Sequence, residues 1–572
     1  MHGDGIPRSR RHGRHTEEEE EEEEAEGEMH SRFHGQGFQG PSAEARAPMV
    51  VEAWEDPDTI SGNCLSRAMK RFHAGLRARM RSTNPFRRLP SDVFAASLFM
   101  IFNTFAYVAG YVEAMAVAAN TGETQYTAWN NGQSVAGLST NIFGVFQVLT
   151  INVISRSDEY EGQNVKNRRV GKLFRLTMIL AVVSTLLGAI IVLPFVDDWF
   201  RLRDKEAFAS TANTYITISV WLYFFQFAFG VFLGMFIGCS KIVHGFVFGV
   251  VGIVSLGIFG KTLPEHMDPL VGAALASASV YVTGCIVAIV FVFLPNFRRQ
   301  YGIFESSSSK EVPLKGDTNA LKFFIILVLK NIVSQVVTFY ANTLSAQVSP
   351  LEQIAQAYAT TYPTFLSFVI AFGGTYQNMV GSRLAIRSRY PSYRFVVFFA
   401  VVSVTVVGLL GVGVGYGGAL SLMGLPVIPK DIPPSYKDAA IANGQDLVGW
   451  VYAATILSGL TTVFHSCIVN FQYYWFYSIS NFCFDLTFSL GGVLISQHYF
   501  SGDSVAILGI VPFVRALVSC LFYGAFVVLW LLPRVKKGDE EYQRRKKSDD
   551  MLGEPLLDLP ENEKHETMAT PP

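Results

Sequence analysis

One aspartate interrupts the run SISNFCFDLTFSLGGVLI, Ser478 to Ile495, which otherwise holds only uncharged and mostly apolar residues. A carboxylate in such a place costs at least a few kcal/mol in hydrocarbon, and it marks either a pathway or a charge pair. Asp485 lies about fourteen residues into its apolar run, and Arg515 about nine residues into the next one. At 1.5 Å per residue these depths are ~21 Å and ~14 Å from opposite faces of a ~30 Å core. Adjacent antiparallel helices would therefore bring the two charges to one level. The pair then either holds the C-terminal part together or opens when a proton or substrate binds.

Other polar residues recur inside apolar runs. Lys330, followed by Asn331, sits in ILVLKNIVSQ; it either snorkels to the interface or offsets an acid or attracts an anionic group. Glu113 in YVAGYVEAMAV reads as a carboxylate at a pore mouth or interface, or as a member of the binding site. His465 carries a ring whose charge changes near neutral pH, although a lone histidine on an apolar face is commonly a hydrogen-bonded packing residue. Asn481 lies one helical turn before Asp485 and shares its face. Asn103, Tyr107, Asn141, Gln147 and Gln226 supply further uncharged polar groups, which either bind substrate or stabilise helix packing. The aromatic stretch FQYYWFYSISNF reads as an interfacial belt that also offers stacking surfaces to a planar or cationic solute.

These residues must be positioned by membrane-spanning helices. Of 572 residues, 50% are hydrophobic and only 16% charged, against about a quarter charged in soluble domains. Apolar runs of roughly 20 residues, enough to cross the hydrocarbon core, give an all-α polytopic membrane protein of about twelve spans. Their approximate limits are Ala95–Ala119, Gly132–Ile154, Leu173–Val196, Ala212–Met235, His244–Phe259 and Leu270–Leu294 in the first half. The second half holds Leu321–Leu344, Gln353–Phe372, Phe395–Tyr416, Val448–Val469, Phe471–Gln497 and Ala506–Leu532. Lys and Arg collect in the connections after spans two, six, eight and twelve, whereas those after spans one and seven have none. By the positive-inside rule both termini are cytoplasmic, in the plasma membrane or an endomembrane. The chain organises as a disordered, acidic tail (1–88), an N-terminal six-helix lobe (89–295), a cytoplasmic linker (296–319), a C-terminal six-helix lobe (320–534) and a second disordered tail (535–572). GEPLLDLP in that last tail loosely resembles an acidic dileucine sorting signal. The six cysteines show no pairing that suggests a disulfide framework or a zinc site.

The two halves share an order of loop lengths and charges, with AVVS recurring at Ala181 and Ala400. Many secondary transporters are built from such repeats, with the substrate site near the midplane at the repeat interface. At this level the chain resembles the multidrug and toxic compound extrusion (MATE) family of the MOP superfamily. The resemblance is carried by NVKNRRVGKLFRLTMILAVVSTLLGAIIVLPFVDDW, DPLVGAALASASVYVTGCIVAIVFV and QIAQAYATTYPTFLSFVIAFGGTYQNMVGSRL, and it extends over roughly Phe94 to Leu532. The major facilitator superfamily also has six plus six helices, but the basic loop here lacks that family's aspartate. The MATE resemblance implies two pseudo-symmetric lobes that alternate access to a cavity between them. It also implies ion-coupled antiport of small organic solutes, with H⁺ or Na⁺ as the coupling ion and no other cofactor. Two departures bear on this. The family's first-helix acid would follow Asn103 by three positions, where Ala106 stands. Eukaryotic members usually carry a glutamate in the seventh helix, where this chain has Lys330, so a neutral, zwitterionic or anionic solute fits at least as well as a cation.

The expected function is thus that of a monomeric secondary active transporter in the lipid bilayer, acting on a small-molecule solute and not on nucleic acid, with a MOP-type flippase of lipid or lipid-linked substrates or a major-facilitator-type transporter as the alternatives. No G-x-x-x-x-G-K-[ST] loop and no H-E-x-x-H helix is present, so neither ATP hydrolysis nor metalloprotease chemistry is expected.

Overall fold

The structure is a computed structural model that describes residues 85–552, with gaps within 145–162, at 202–205, 240–241, 302–314 and 346–349, within 382–389, and at 472 and 500–504. Its regular elements are all helices, and twelve long stretches dominate the described residues. In the first half these are α1 (Pro85–Asn120), α2 (Glu123–Phe143), α3 (Gln163–Val192), α4 (Ala209–Gly238), α5 (Ile242–His266) and α6 (Pro269–Phe293). The second half contributes α7 (Lys315–Ser345), α8 (Pro350–Ile370), α9 (Tyr390–Val414), α10 (Pro434–Asn470), α11 (Tyr474–Tyr499) and α12 (Ala506–Glu541). Among the described residues, seven helical stretches are long and apolar enough to cross a membrane.

Side-chain exposure shows what surrounds them. On α3, Ile179, Val182, Val183, Leu186, Leu187 and Ile190 are exposed on one face, while Ala181 and Thr185 point into the core. On α9, Phe398, Val406, Leu409, Leu410 and Val414 are likewise exposed. Water would not tolerate stripes of this size, but lipid does. Several buried threonine hydroxyls are satisfied within their own helices, as where Thr177 and Thr185 donate to the carbonyls of Leu173 and Ala181.

Packing divides the helices into two lobes with matching internal contacts. In the first, α2 packs on α3 and α4, α3 on α4, α4 on α6, and α5 on α1 and α6. In the second, α8 packs on α9 and α10, α9 on α10, α10 on α12, and α11 on α7 and α12. Each pairing recurs when six is added to the helix number, which is the geometry of a duplicated six-helix unit. The lobes meet where α1 packs on α8 and α2 on α7. Symmetry exchanges these two seams.

Several helices begin earlier than hydropathy suggests. The connection NTGETQYTAWNN is mostly helix, since α2 begins at Glu123; burial of Tyr126 and Trp129 supports that extra turn. The basic residues Lys172 and Arg175 stand on α3 itself rather than in a loop. The linker carries a short helix, Pro295–Tyr301, and α7 already starts at Lys315. At the far end the helix runs on to Leu552 instead of ending near 534, where Lys536–Glu540 and Lys537–Glu541 pairs lie one turn apart. The tail residues 1–84 and 553–572, with the sorting-signal reading, lie outside the described residues.

The α5–α6 hairpin depends on one close approach. Asp268 caps α6 by accepting from the Leu270 and Val271 amides, with Pro269 at the first helical position. Gly272 then sits so close to α5 that an added Cβ would lie 2.7 Å from the Pro264 backbone. Backbone cannot yield as a side chain can, so Gly272→Ala is expected to destabilise by about 1–3 kcal/mol. Gly257→Ala in the same hairpin meets open space and should be neutral or stabilising. Thermal unfolding of the two purified variants in detergent checks the contrast; equal melting temperatures would contradict it.

Candidate functional site

Each lobe holds a buried acid whose partners are defined, and Asp92 of α1 is buried as well. In the C-terminal lobe, Asp485 opens a π-helical turn, Asp485–Leu490, in the middle of α11. Such turns widen the helix by one residue per turn and often occur at functional sites. The carboxylate is fully buried. One oxygen accepts from the Arg515 guanidinium of α12 and the other from the Ser334 hydroxyl of α7. Three helices therefore converge on one side chain.

One turn before Ser334 on α7, Lys330 donates from Nζ to the Tyr477 hydroxyl at 3.1 Å. Its ammonium also lies 4.6 Å from that ring's centroid, within cation–π range. The contacts Lys330–Tyr477 and Ser334–Asp485 run in the same direction along α7 and α11, as they must for helices separated by an even number of crossings. His465 of α10 packs edge-on against Tyr477 and Tyr523, with centroids 4.6 and 4.3 Å away. Tyr523 shares a 2.7 Å hydrogen bond with Ser480. Asn481 turns back into its own helix and donates to the Tyr477 carbonyl, while Asn331 donates across the seam to the Ile142 carbonyl of α2 at 3.1 Å.

In the N-terminal lobe, Glu113 of α1 is only 5% exposed. One carboxylate oxygen accepts from Trp129 Nε1 of α2 at 3.0 Å and from the Tyr215 hydroxyl of α4 at 2.6 Å. Beside it opens a cavity of about 210 Å³ between α1, α2, α4 and α6, lined also by Gln133, Ser219, Gln226, Ser277 and Tyr281. Among the described residues its lining contains one acid and no basic residue. A buried carboxylate with neutral donors and adjacent space is suited to taking up a proton or a small cation.

The ion pair of Asp485 and Arg515 thus forms between adjacent helices, inside the C-terminal lobe rather than in an open cleft between lobes. Three readings left open by the sequence are narrowed by the geometry. Glu113 is no interfacial carboxylate, because the early start of α2 covers it. Lys330 turns into the lobe, where its amine meets Tyr477. The aromatic stretch is not simply a belt, because Trp475 faces outward while Tyr477 holds Lys330. His465 packs between Tyr477 and Tyr523, as a packing residue would, and its Nε2 is buried without a hydrogen-bond partner among the described residues. The side chains of Asn103 and Gln147 lie outside the described residues. Sequence reasoning missed Ser334, Tyr477, Trp129 and Tyr215. Only Ser334 had a usable signal, one turn from Lys330 on the same face.

The MatE family model matches residues 100–263, within the N-terminal lobe. A search of curated proteins finds no match. Among solved structures, the eukaryotic MATE transporter AtDTX14 is 16% identical, with a TM-score of 0.64 over 80% of this chain and 100% of that one. A multidrug resistance MATE family transporter of the MOP superfamily in its outward-facing conformation gives a TM-score of 0.60 at 15% identity, covering 78% and 96% of the two chains. An inward-facing conformation of such a transporter gives 0.53 at 14% identity, covering 76% and 96%. The fold is that of the MATE transporters.

Removing one partner of a buried pair leaves the other charge uncompensated. Asp485→Asn and Arg515→Gln should each lower stability more than their effects combine in the double variant. The coupling is expected within about 0.5–3 kcal/mol, read from unfolding of the four proteins in mixed micelles. Strict additivity would show that the pair contributes no net interaction.

Proposed function

We propose that the protein is a secondary active transporter that exports small organic solutes by alternating access, driven by exchange for H⁺ or Na⁺. The observation that carries this reading is the pair of equivalent lobes, joined through symmetry-exchanged seams, each with a buried carboxylate held by its own helices. Duplicated lobes of this kind offer two equivalent ways of tilting, one open to each side. That solved relatives of the same fold are described as outward- and inward-facing supports it. Glu113 serves as the coupling acid, since its cavity offers space and neutral donors but no competing cation. Asp485 and Arg515 maintain the C-terminal lobe and its polar interior. Both termini face the cytoplasm, as the basic connections require, and the protein acts as a monomer.

Reconstituted full-length protein should show saturable flux of a solute from a panel of cations, neutral compounds and anions, dependent on an imposed pH or Na⁺ gradient. Glu113→Gln should reduce gradient-driven flux by roughly tenfold or more, the scale of losing one charged hydrogen-bonding group, while equilibrium exchange of solute persists. Gradient-independent flux in both proteins would overturn the assignment of Glu113. Headgroup-dependent lipid scrambling without solute flux would overturn the exporter itself.

A further inference from the structure

We propose that the polar cluster of the C-terminal lobe binds the anionic group of the transported solute, a carboxylate or phosphate, with Lys330 as its anchor. This inference rests on the transporter reading and specifies its substrate class.

Charge balance comes first. The cluster holds two basic residues, Lys330 and Arg515, and one described carboxylate, Asp485, which is engaged by Arg515 and Ser334. Lys330 has a phenol for its partner, and no ion pair to it is found among the described residues. A cation inside the bilayer is costly unless an anion compensates it, and a phenol ring and hydroxyl offset only part of that cost. Among the described residues the cluster is therefore one negative charge short.

The unused hydrogen-bonding atoms gather around the same place. Arg515 Nε and His465 Nε2 are both buried without partners. His465 packs on the Tyr477 ring that carries Lys330, and both Lys330 and Arg515 lie within electrostatic reach of it. An oxyanion beside Lys330 would supply the missing charge and give those atoms an acceptor. Charge-assisted bonds of this sort are the strong ones in protein sites.

Location is the third observation. Asn331, the next residue along, bonds to Ile142 across the α2–α7 seam. Lys330 therefore stands within one residue of the surface at which the lobes part, where a solute exposed by that parting can reach it. The N-terminal cavity has the opposite polarity, with Glu113 and no cation. One lobe is thus equipped for the coupling cation and the other for the solute's anion.

The test is binding to the detergent-solubilised full chain, measured by calorimetry with citrate, phenyl phosphate and tetraethylammonium. Citrate or phenyl phosphate should bind, and tetraethylammonium should not compete. Lys330→Gln should weaken anion binding by roughly tenfold or more, equivalent to losing one charge-assisted hydrogen bond, and Lys330→Arg should recover most of it. Melting curves without ligand establish that each variant is folded. Nanodiscs with and without phosphatidylglycerol form a second arm: binding confined to the anionic lipid, with none of the soluble anions, overturns the solute assignment. So does anion binding that survives Lys330→Gln, or competition by tetraethylammonium alone. If anions bind through Lys330 but no solute is ever transported, the transporter reading fails and the anion site stands. If cations are transported and no anion binds, the reverse holds.

Discussion

A charge placed among acyl chains must find its partners within the protein, and the partners must stay with it through any movement. That constraint shapes this molecule more than any single contact does. Asp485 cannot face lipid, so α7 and α12 each present a donor to the π turn of α11. Glu113 likewise draws Trp129 from α2 and Tyr215 from α4. Both sets of partners come from the lobe that carries the acid. Each lobe can therefore tilt as a body without separating either acid from its partners.

The seams between the lobes are built differently. Three hydrogen bonds cross them among those described: the Tyr111 hydroxyl to the Met423 carbonyl at 2.9 Å, the Lys430 amide to the Ala118 carbonyl at 3.2 Å, and Asn331 to Ile142. All accept at backbone carbonyls and none is an ion pair. Neutral bonds of this type contribute about 1 kcal/mol each, and breaking them leaves the Asp485–Arg515 pair intact. The ion pair and the hydrogen-bonded acids lie inside the lobes and the neutral contacts lie between them, as the proposed rocking of the lobes needs.

How much of this could be read from the amino acids depends on the range of the interaction. The Asp485–Arg515 pair was legible because two neighbouring apolar runs fix the depth of both charges. The twofold plan was legible in the repeated order of basic connections, since charge patterning records sidedness. The partners of Glu113 were not, because Tyr215 is a hundred residues away in an aromatic-rich helix where no tyrosine stands out. Trp129 was misplaced in a loop, because hydropathy does not register a helix turn held by a buried indole. The role of Lys330 was left open, since snorkelling and pairing differ only in where the helix begins.

The central claim is that the lobes move as bodies against these weak seams, and a reversible tether tests it most directly. Ala118 and Lys430 are joined by a backbone hydrogen bond at the end of the molecule away from the start of α1, which leaves them within disulfide reach. With Cys483, the exposed native cysteine, replaced by serine, cysteines introduced at 118 and 430 should cross-link under mild oxidation. Gradient-driven flux in proteoliposomes should then stop and return on reduction. Undiminished flux through the cross-linked protein would contradict the account, because that end would never have needed to open.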